Sequence, residues 1–161
     1  MATKRSITIP TMWEDPALED LDAQPNMIMT SCEGSWNMSL EPGFGQGARS
    51  KVLQSLSRGG HTAINFYWTV NATNQLAVAH DGRVIAGFEI DIMARTDWWG
   101  SNPASLTPHL TGLPIGETFG LSFPEYRLAA FVLLSRLTGG QILSHDALQQ
   151  PMTRYLITSS Q

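Results

Sequence analysis

Residues His61 to Asp91 read HTAINFYWTV, NATN, QLAVAH, DG, RVIAGFEID. An Asp-Gly pair between two apolar-rich runs is a strong hairpin signal, because a type I′ turn needs φ > 0 at both central residues. The block therefore predicts three strands, His61–Val70, Gln75–His80 and Arg83–Asp91, with Asp81-Gly82 as the tight turn and His80 opposite Arg83. Side chains alternate along a strand. Ile64, Phe66, Trp68 and Val70 share one face of the first strand, and Asn65, Tyr67 and Thr69 share the other.

Outward from this block, local punctuation places the remaining elements. A helix is expected over about Ala48 to Ser57, with Val52, Leu53 and Leu56 as its apolar stripe and Arg49, Lys51 and Arg58 toward solvent. Gly59-Gly60 ends it. Upstream, Asn26–Glu33 and Ser35–Glu41 form a second hairpin candidate around Gly34. Downstream, Pro103–Leu110 fits a short helix capped by Asn102 or Ser101. Ser122-Phe123-Pro124-Glu125 reads as a capping box. The helix it starts runs to about Thr138 and stops at Gly139-Gly140. Its apolar residues, from Leu128 to Leu137, wrap most of its circumference, the pattern of a buried helix. Ser144-His145-Asp146-Ala147 starts a last short helix.

Strands first and helices mostly after define an α+β class. The expected architecture is an antiparallel sheet of about five strands, with helices packed on one face and the C-terminal helix buried. Residues 1–26 lack periodicity and carry Pro10, Pro16 and Pro25 among the acids Glu14, Asp15, Glu19, Asp20 and Asp22. They read as an N-terminal arm, and residues 27–161 as a single α+β domain.

Composition excludes several classes. Charged residues make up 15% of the 161, against ~25% in typical soluble domains. A surface this poor in charge fits a protein that hides part of itself against a partner. The net charge of −4 disfavours nucleic-acid binding. The single cysteine, Cys32, forms no internal disulfide and no cysteine zinc site, so a reducing cytoplasm is the expected home. The longest apolar run, Leu128–Leu134, is too short to span a bilayer, and the N-terminus does not read as a signal peptide.

The motifs Leu40-Glu41-Pro42-Gly43-Phe44-Gly45-Gln46-Gly47, Val52-Leu53-Gln54-Ser55-Leu56-Ser57-Arg58-Gly59, Phe66-Tyr67-Trp68-Thr69-Val70-Asn71-Ala72 and Asp81-Gly82-Arg83-Val84 follow one another along the chain. Phe88-Glu89, Trp99-Gly100-Ser101, Leu110-Thr111-Gly112-Leu113-Pro114 and Leu134-Ser135-Arg136-Leu137-Thr138-Gly139 continue the series. In order and spacing, from Trp36 to Ile157, the chain resembles a domain of unknown function widespread in actinobacteria. That resemblance implies no activity and no catalytic residues. The family usually opens with an aromatic-striped helix, a pattern the first 26 residues do not show.

Candidate chemistry is sparse. Gly43, Gly45, Gly47 and Ala48 fit the letters G-x-G-x-x-A ahead of a helix, a weak anion-binding candidate. A nucleotide fingerprint would need a buried strand before them and an acidic residue ~20 positions on, and neither is present. Glu89 and Asp91 share a strand face and Asp97 follows, a carboxylate group suited to a hard cation or to acid–base work. The histidines His61, His80, His109 and His145 show no metal spacing. Cys32 reads as a buried structural cysteine. No catalytic residue, metal or cofactor is assigned. Trp98-Trp99, in a loop before Gly100, offers an aromatic anchor of the kind enriched at binding hot spots, with one ring inward and the other exposed. The expected function is therefore a non-enzymatic protein-binding module, of adaptor, accessory or immunity type. It would work through Trp98, Trp99 and the acids Glu14, Asp15, Glu19 and Asp20. Two alternatives remain: a small-molecule or anion-binding domain using the Gly43–Gly47 loop, and an enzyme with a dispersed carboxylate and histidine site.

Overall fold

A computed structural model of the chain describes residues 8–9, 27–41, 46–68, 74–90, 97–115, 123–140 and 152–156. The chain divides into two compact units, Gln46–Leu137 and the flanking segments Met1–Gly45 with Thr138–Gln161.

The flanking unit holds one antiparallel sheet. Its strands are β1 (Thr8–Ile9), β2 (Met27–Glu33), β3 (Trp36–Leu40) and β7 (Met152–Leu156), in the order β1-β7-β2-β3. β2 and β3 form the expected hairpin, pairing Glu33 with Trp36 around Gly34, whose φ of 56° suits a glycine. Trp36, Met38 and Leu40 are half-buried while Asn37 and Ser39 are exposed, the alternation of a sheet with one wet face. The same alternation corrects the reading of Cys32. Ser31 points inward, so Cys32 is exposed, and its thiol donates to Asn37 Oδ1 at 3.0 Å.

The central unit is built on β4 (Thr62–Trp68), β5 (Asn74–His80) and β6 (Arg83–Glu89), antiparallel in that order. The turn behaves as the Asp-Gly pair predicts. Asp81 has φ 46° and Gly82 φ 76°, and His80 faces Arg83. Side chains hold the turn from outside. Asp81 Oδ1 accepts from the Gly60 amide at 3.0 Å, and the Gly82 amide donates to Ser57 Oγ at 3.1 Å. Ser57 caps the helix α1 (Ser50–Leu56), so the helix end and the hairpin turn are tied directly.

The α+β class with antiparallel strands holds; among the described residues the strands divide between a four-stranded and a three-stranded sheet, where the sequence pattern implies one sheet of about five. The alternating pattern specifies a buried face; it does not specify which strands share a ladder. Helices also cover both faces of the three-stranded sheet. On one face Leu53 of α1 packs with Ala63, Ala77, Ala79 and Val84. The small alanines allow a short helix to approach closely. Its buried row is Leu53 and Ser57, one turn apart, which rotates Leu56 outward to 65% exposure.

The opposite face carries the main core. Leu76, Val78, Ala86 and Phe88 of the sheet pack with Leu106 and Leu110 of a 3₁₀-helix (Pro103–Leu110) and with α2 (Phe123–Leu137). Asn102 is the residue before that 3₁₀-helix, and its carbonyl accepts from both the amide and the hydroxyl of Ser105. Pro108 lacks the amide an α-helix would require there. In α2 one face is buried, through Tyr126, Ala129, Ala130 and Leu133, while Leu128 is 65% exposed. The apolar circumference is wider than the face the sheet covers. Phe131 is half-buried and meets Phe66 and Trp68 edge-on, at centroid distances of 5.5 and 6.1 Å. Arg136 Nη1 donates to the carbonyls of His109 and Thr111, at 2.7 and 2.8 Å, and joins α2 to the end of the 3₁₀-helix. Ser122 of the capping box and the Ser144 helix lie outside the described residues.

One irregularity sets the faces of β6. Val78 pairs with Ala86 but Ala79 pairs with Val84, so Ile85 is an extra residue, a β-bulge. It lets Val84 join the alanine face while Ala86 and Phe88 join the main core.

Two substitutions test this architecture. Gly82→Val should lower stability by about 1 kcal/mol or more, since a β-branched residue resists φ > 0. A thermal melt shows it as a lower midpoint, and an unchanged midpoint counts against the left-handed turn. Phe131→Ala should cost about 3 kcal/mol, the low end for a phenylalanine because the ring is half-buried. Chemical denaturation measures it, and a loss near zero would mean that α2 does not depend on the aromatic contact.

Candidate functional site

β6 has an outer edge, and the segment from Trp99 to Asn102 lies along it. The Gly87 amide donates to the Trp99 carbonyl at 2.8 Å, and the Trp99 amide donates to the Gly87 carbonyl at 2.9 Å, an isolated antiparallel bridge. Ser101 donates its amide to Val84 at 3.1 Å, and Asn102 donates to Ile85 at 2.8 Å. Backbone bonds therefore fix the Trp98-Trp99 pair to a core strand.

Glycine is required at two points of this seam. A Cβ on Gly87 would lie within 2.7 Å of Trp99 Cζ2 and closer still to Cε2. A Cβ on Gly100, whose φ is 118°, would lie 2.5 Å from the Ile85 carbonyl oxygen. The indole of Trp99 thus rests on the bare backbone of β6. Trp98, one position earlier, stacks on Phe88 with centroids 4.8 Å apart and planes 22° apart. Adjacent extended residues point to opposite sides, and both tryptophans find a packing surface. Both are half-buried, where the sequence reading has one exposed.

The same register brings acids to the tryptophans. Counting two residues outward from the Gly87–Trp99 bridge reaches Glu89 on one strand and Asp97 on the other. Among the described residues the bridge is a single pair. Glu89, Asp97, Trp98 and Trp99 line one partly open cavity of about 140 Å³. Two of the acids read from the sequence as a carboxylate group, and both tryptophans read as an anchor, thus border the same cavity.

Other candidates do not join it. His61 and His80 are exposed and His109 is half-buried, and none of the three lines the cavity. His80 Nδ1 pairs instead with Thr62 Oγ1 at 3.1 Å. Gly47 belongs to a three-residue 3₁₀-helix, Gln46–Ala48. Gly43, Gly45, Asp91, His145 and the arm acids Glu14, Asp15, Glu19 and Asp20 lie outside the described residues. Among the described residues no three His, Cys, Asp or Glu side chains are placed to hold a metal, and no helix is long and apolar enough to cross a membrane.

Gly87 and Gly100 are the site residues the sequence reading misses. A glycine inside a strand commonly marks a close backbone approach, and that signal is present in Ile85-Ala86-Gly87-Phe88. Its meaning depends on Trp99, twelve residues on.

Residues 14–153 match a family of unknown function, DUF6461, and the chain belongs to that family. No curated protein and no solved structure matches the chain.

Gly87→Ala tests the seam. The added methyl must displace the Trp99 indole, so the substitution should lower stability and shift the Trp99 indole amide resonance. Replacing Trp99 with leucine in the same chain should remove most of that penalty, a coupling read by a double-mutant cycle. Additive effects would mean that the glycine does not serve the tryptophan.

Proposed function

We propose that this protein is a non-enzymatic binding module that docks another protein, as an adaptor, accessory or immunity protein of a bacterial cytoplasm does. The resemblance to actinobacterial domains supports the bacterial setting. The observation that carries the reading is the convergence of Glu89, Asp97, Trp98 and Trp99 on one cavity of about 140 Å³. Pockets for whole small molecules usually enclose ~300–1,000 Å³. A cavity this small suits one side chain projecting from a partner. Tryptophan supplies large contact area at low entropic cost, which is why it recurs at hot spots. The backbone ladder from Gly87 to Asn102 holds the pair in place before the partner arrives, which reduces the ordering cost of binding. The low charged share of 15% agrees with a surface meant to be covered. The acids of the arm, from Glu14 to Asp22, would steer a basic partner, an attraction that salt weakens.

The test is affinity capture from the host with the full chain, followed by calorimetry on the partner obtained. Glu89→Gln leaves the packing intact and should weaken binding about tenfold, while Trp98→Ala should cost ~2 kcal/mol or more, with folding checked by circular dichroism. Unchanged affinity in both folded variants overturns the docking site. A turnover that Glu89→Gln abolishes would replace this reading with the carboxylate enzyme.

A further inference from the structure

The three-stranded sheet has two edges, and the chain treats them differently. Along β6 the segment from Trp99 to Asn102 occupies outward groups of Val84, Ile85 and Gly87. β4 is the other terminal strand, and among the described residues its backbone bonds to β5 alone. Which of its groups face outward follows from the register. The Asp81 amide donates to the His61 carbonyl at 3.1 Å, so His61 and Asp81 are a hydrogen-bonded pair. Such pairs recur at every second residue. Ala63, Asn65 and Tyr67 therefore bond to β5, and the amides and carbonyls of Thr62, Ile64, Phe66 and Trp68 point away from it. Natural edges are blunted by charges, prolines, bulges or a covering segment. β4, TAINFYW, carries no charge and no proline, and its pairing with β5 runs without a bulge.

We infer that β4 is a dimer interface, occupied by β4 of a second copy of this chain, paired antiparallel about a two-fold axis at Asn65. The inference does not rest on the tryptophan cavity and goes beyond the docking reading. Register is the first support. Centring the pair on Asn65 sets Thr62 opposite Trp68 of the second copy and Ile64 opposite its Phe66, so every outward amide and carbonyl gains a partner. The side chains agree. Ile64 with Phe66, and Thr62 with Trp68, each join a β-branched residue to an aromatic one, a favourable cross-strand combination. On the other face the small Ala63 meets Tyr67, and no like charges come opposite each other. An orphan amide is the second support, and it is independent of the backbone. Asn65 Oδ1 is buried and has no hydrogen-bond partner. In this register Asn65 faces its own counterpart at a non-hydrogen-bonded position, where side chains approach most closely. A carboxamide carries donor and acceptor and turns about a soft terminal torsion, so the two amides can exchange N–H···O bonds. A second copy supplies that amide at the same register that satisfies the backbone. Closure is the third support. The edge of β6 is already occupied, so pairing β4 with β4 stops at two chains. The added strand also extends the sheet beside Phe131, which meets Phe66 and Trp68 while only half-buried.

The experiment is analytical ultracentrifugation of the full chain over a dilution series. The natural chain should sediment as a dimer that dissociates on dilution. Asn65→Asp and Asn65→Lys each set like charges face to face and should sediment as monomers, with strand content unchanged by circular dichroism. An equimolar mixture of the two should restore the dimer, because opposite charges then face across the axis. Thr62→Pro removes an amide that points away from β5, so it spares the monomer and should weaken dimerisation about tenfold or more. It is the deciding variant if a substitution at Asn65 prevents folding. A natural chain that stays monomeric at every concentration overturns the inference, whether or not the edge then takes up a strand from another protein. So do Asn65 variants that dimerise as the natural chain does, folded monomeric variants whose mixture stays monomeric, or a Thr62→Pro chain of undiminished affinity.

Discussion

The central unit depends on two consecutive residues in the left-handed region, Asp81 and Gly82. They close the β5–β6 hairpin in one register, and that register decides which side of the sheet each residue of β6 meets. The turn is not left to its own preference. Ser57 and Gly60, at the end of α1, bond to it from outside. The position of α1 on the alanine face and the register of the hairpin are thus fixed by the same few hydrogen bonds. Everything further along β6 inherits that choice: the bulge at Ile85, the bare backbone at Gly87 and the carboxylate of Glu89.

Local signals carried much of this. The three central strands, the hairpin around Gly34, α1, the 3₁₀-helix at Pro103 and the long helix from Phe123 are all written in turn residues and periodicity. Ladder membership is not. Nothing in residues 152–156 announces that they pair with residues 27–30, since that contact spans more than a hundred positions and leaves no local trace. Leu56 and Leu128 show a second limit. Both belong to apolar stripes, and both end up outside, because a stripe records what a helix is able to bury and the neighbouring surface decides how much it does.

The site was legible as parts. Trp98 and Trp99 stand out as a rare pair, and Glu89 as an acid at a strand end. Their meeting rests on a backbone bridge between residues twelve apart, and on a glycine that reads as unremarkable until an indole is laid across it. Ile85 contributes in the same hidden way. As the extra residue of a bulge it is unpaired with β5, and its carbonyl accepts from Asn102 on the outer side.

The segment from Trp99 to Asn102 has a second role that follows from where it lies. β6 ends its sheet, and a terminal strand with open amides and carbonyls is a template for any other extended chain. Here Gly87, Ile85 and Val84 have their outward groups already engaged by Trp99, Asn102 and Ser101. The tryptophan segment is therefore also a plug against strand-to-strand aggregation. A ligand that drew the tryptophans away from β6 would uncover that template, so recognition of the kind proposed above would compete with self-association for the same hydrogen bonds.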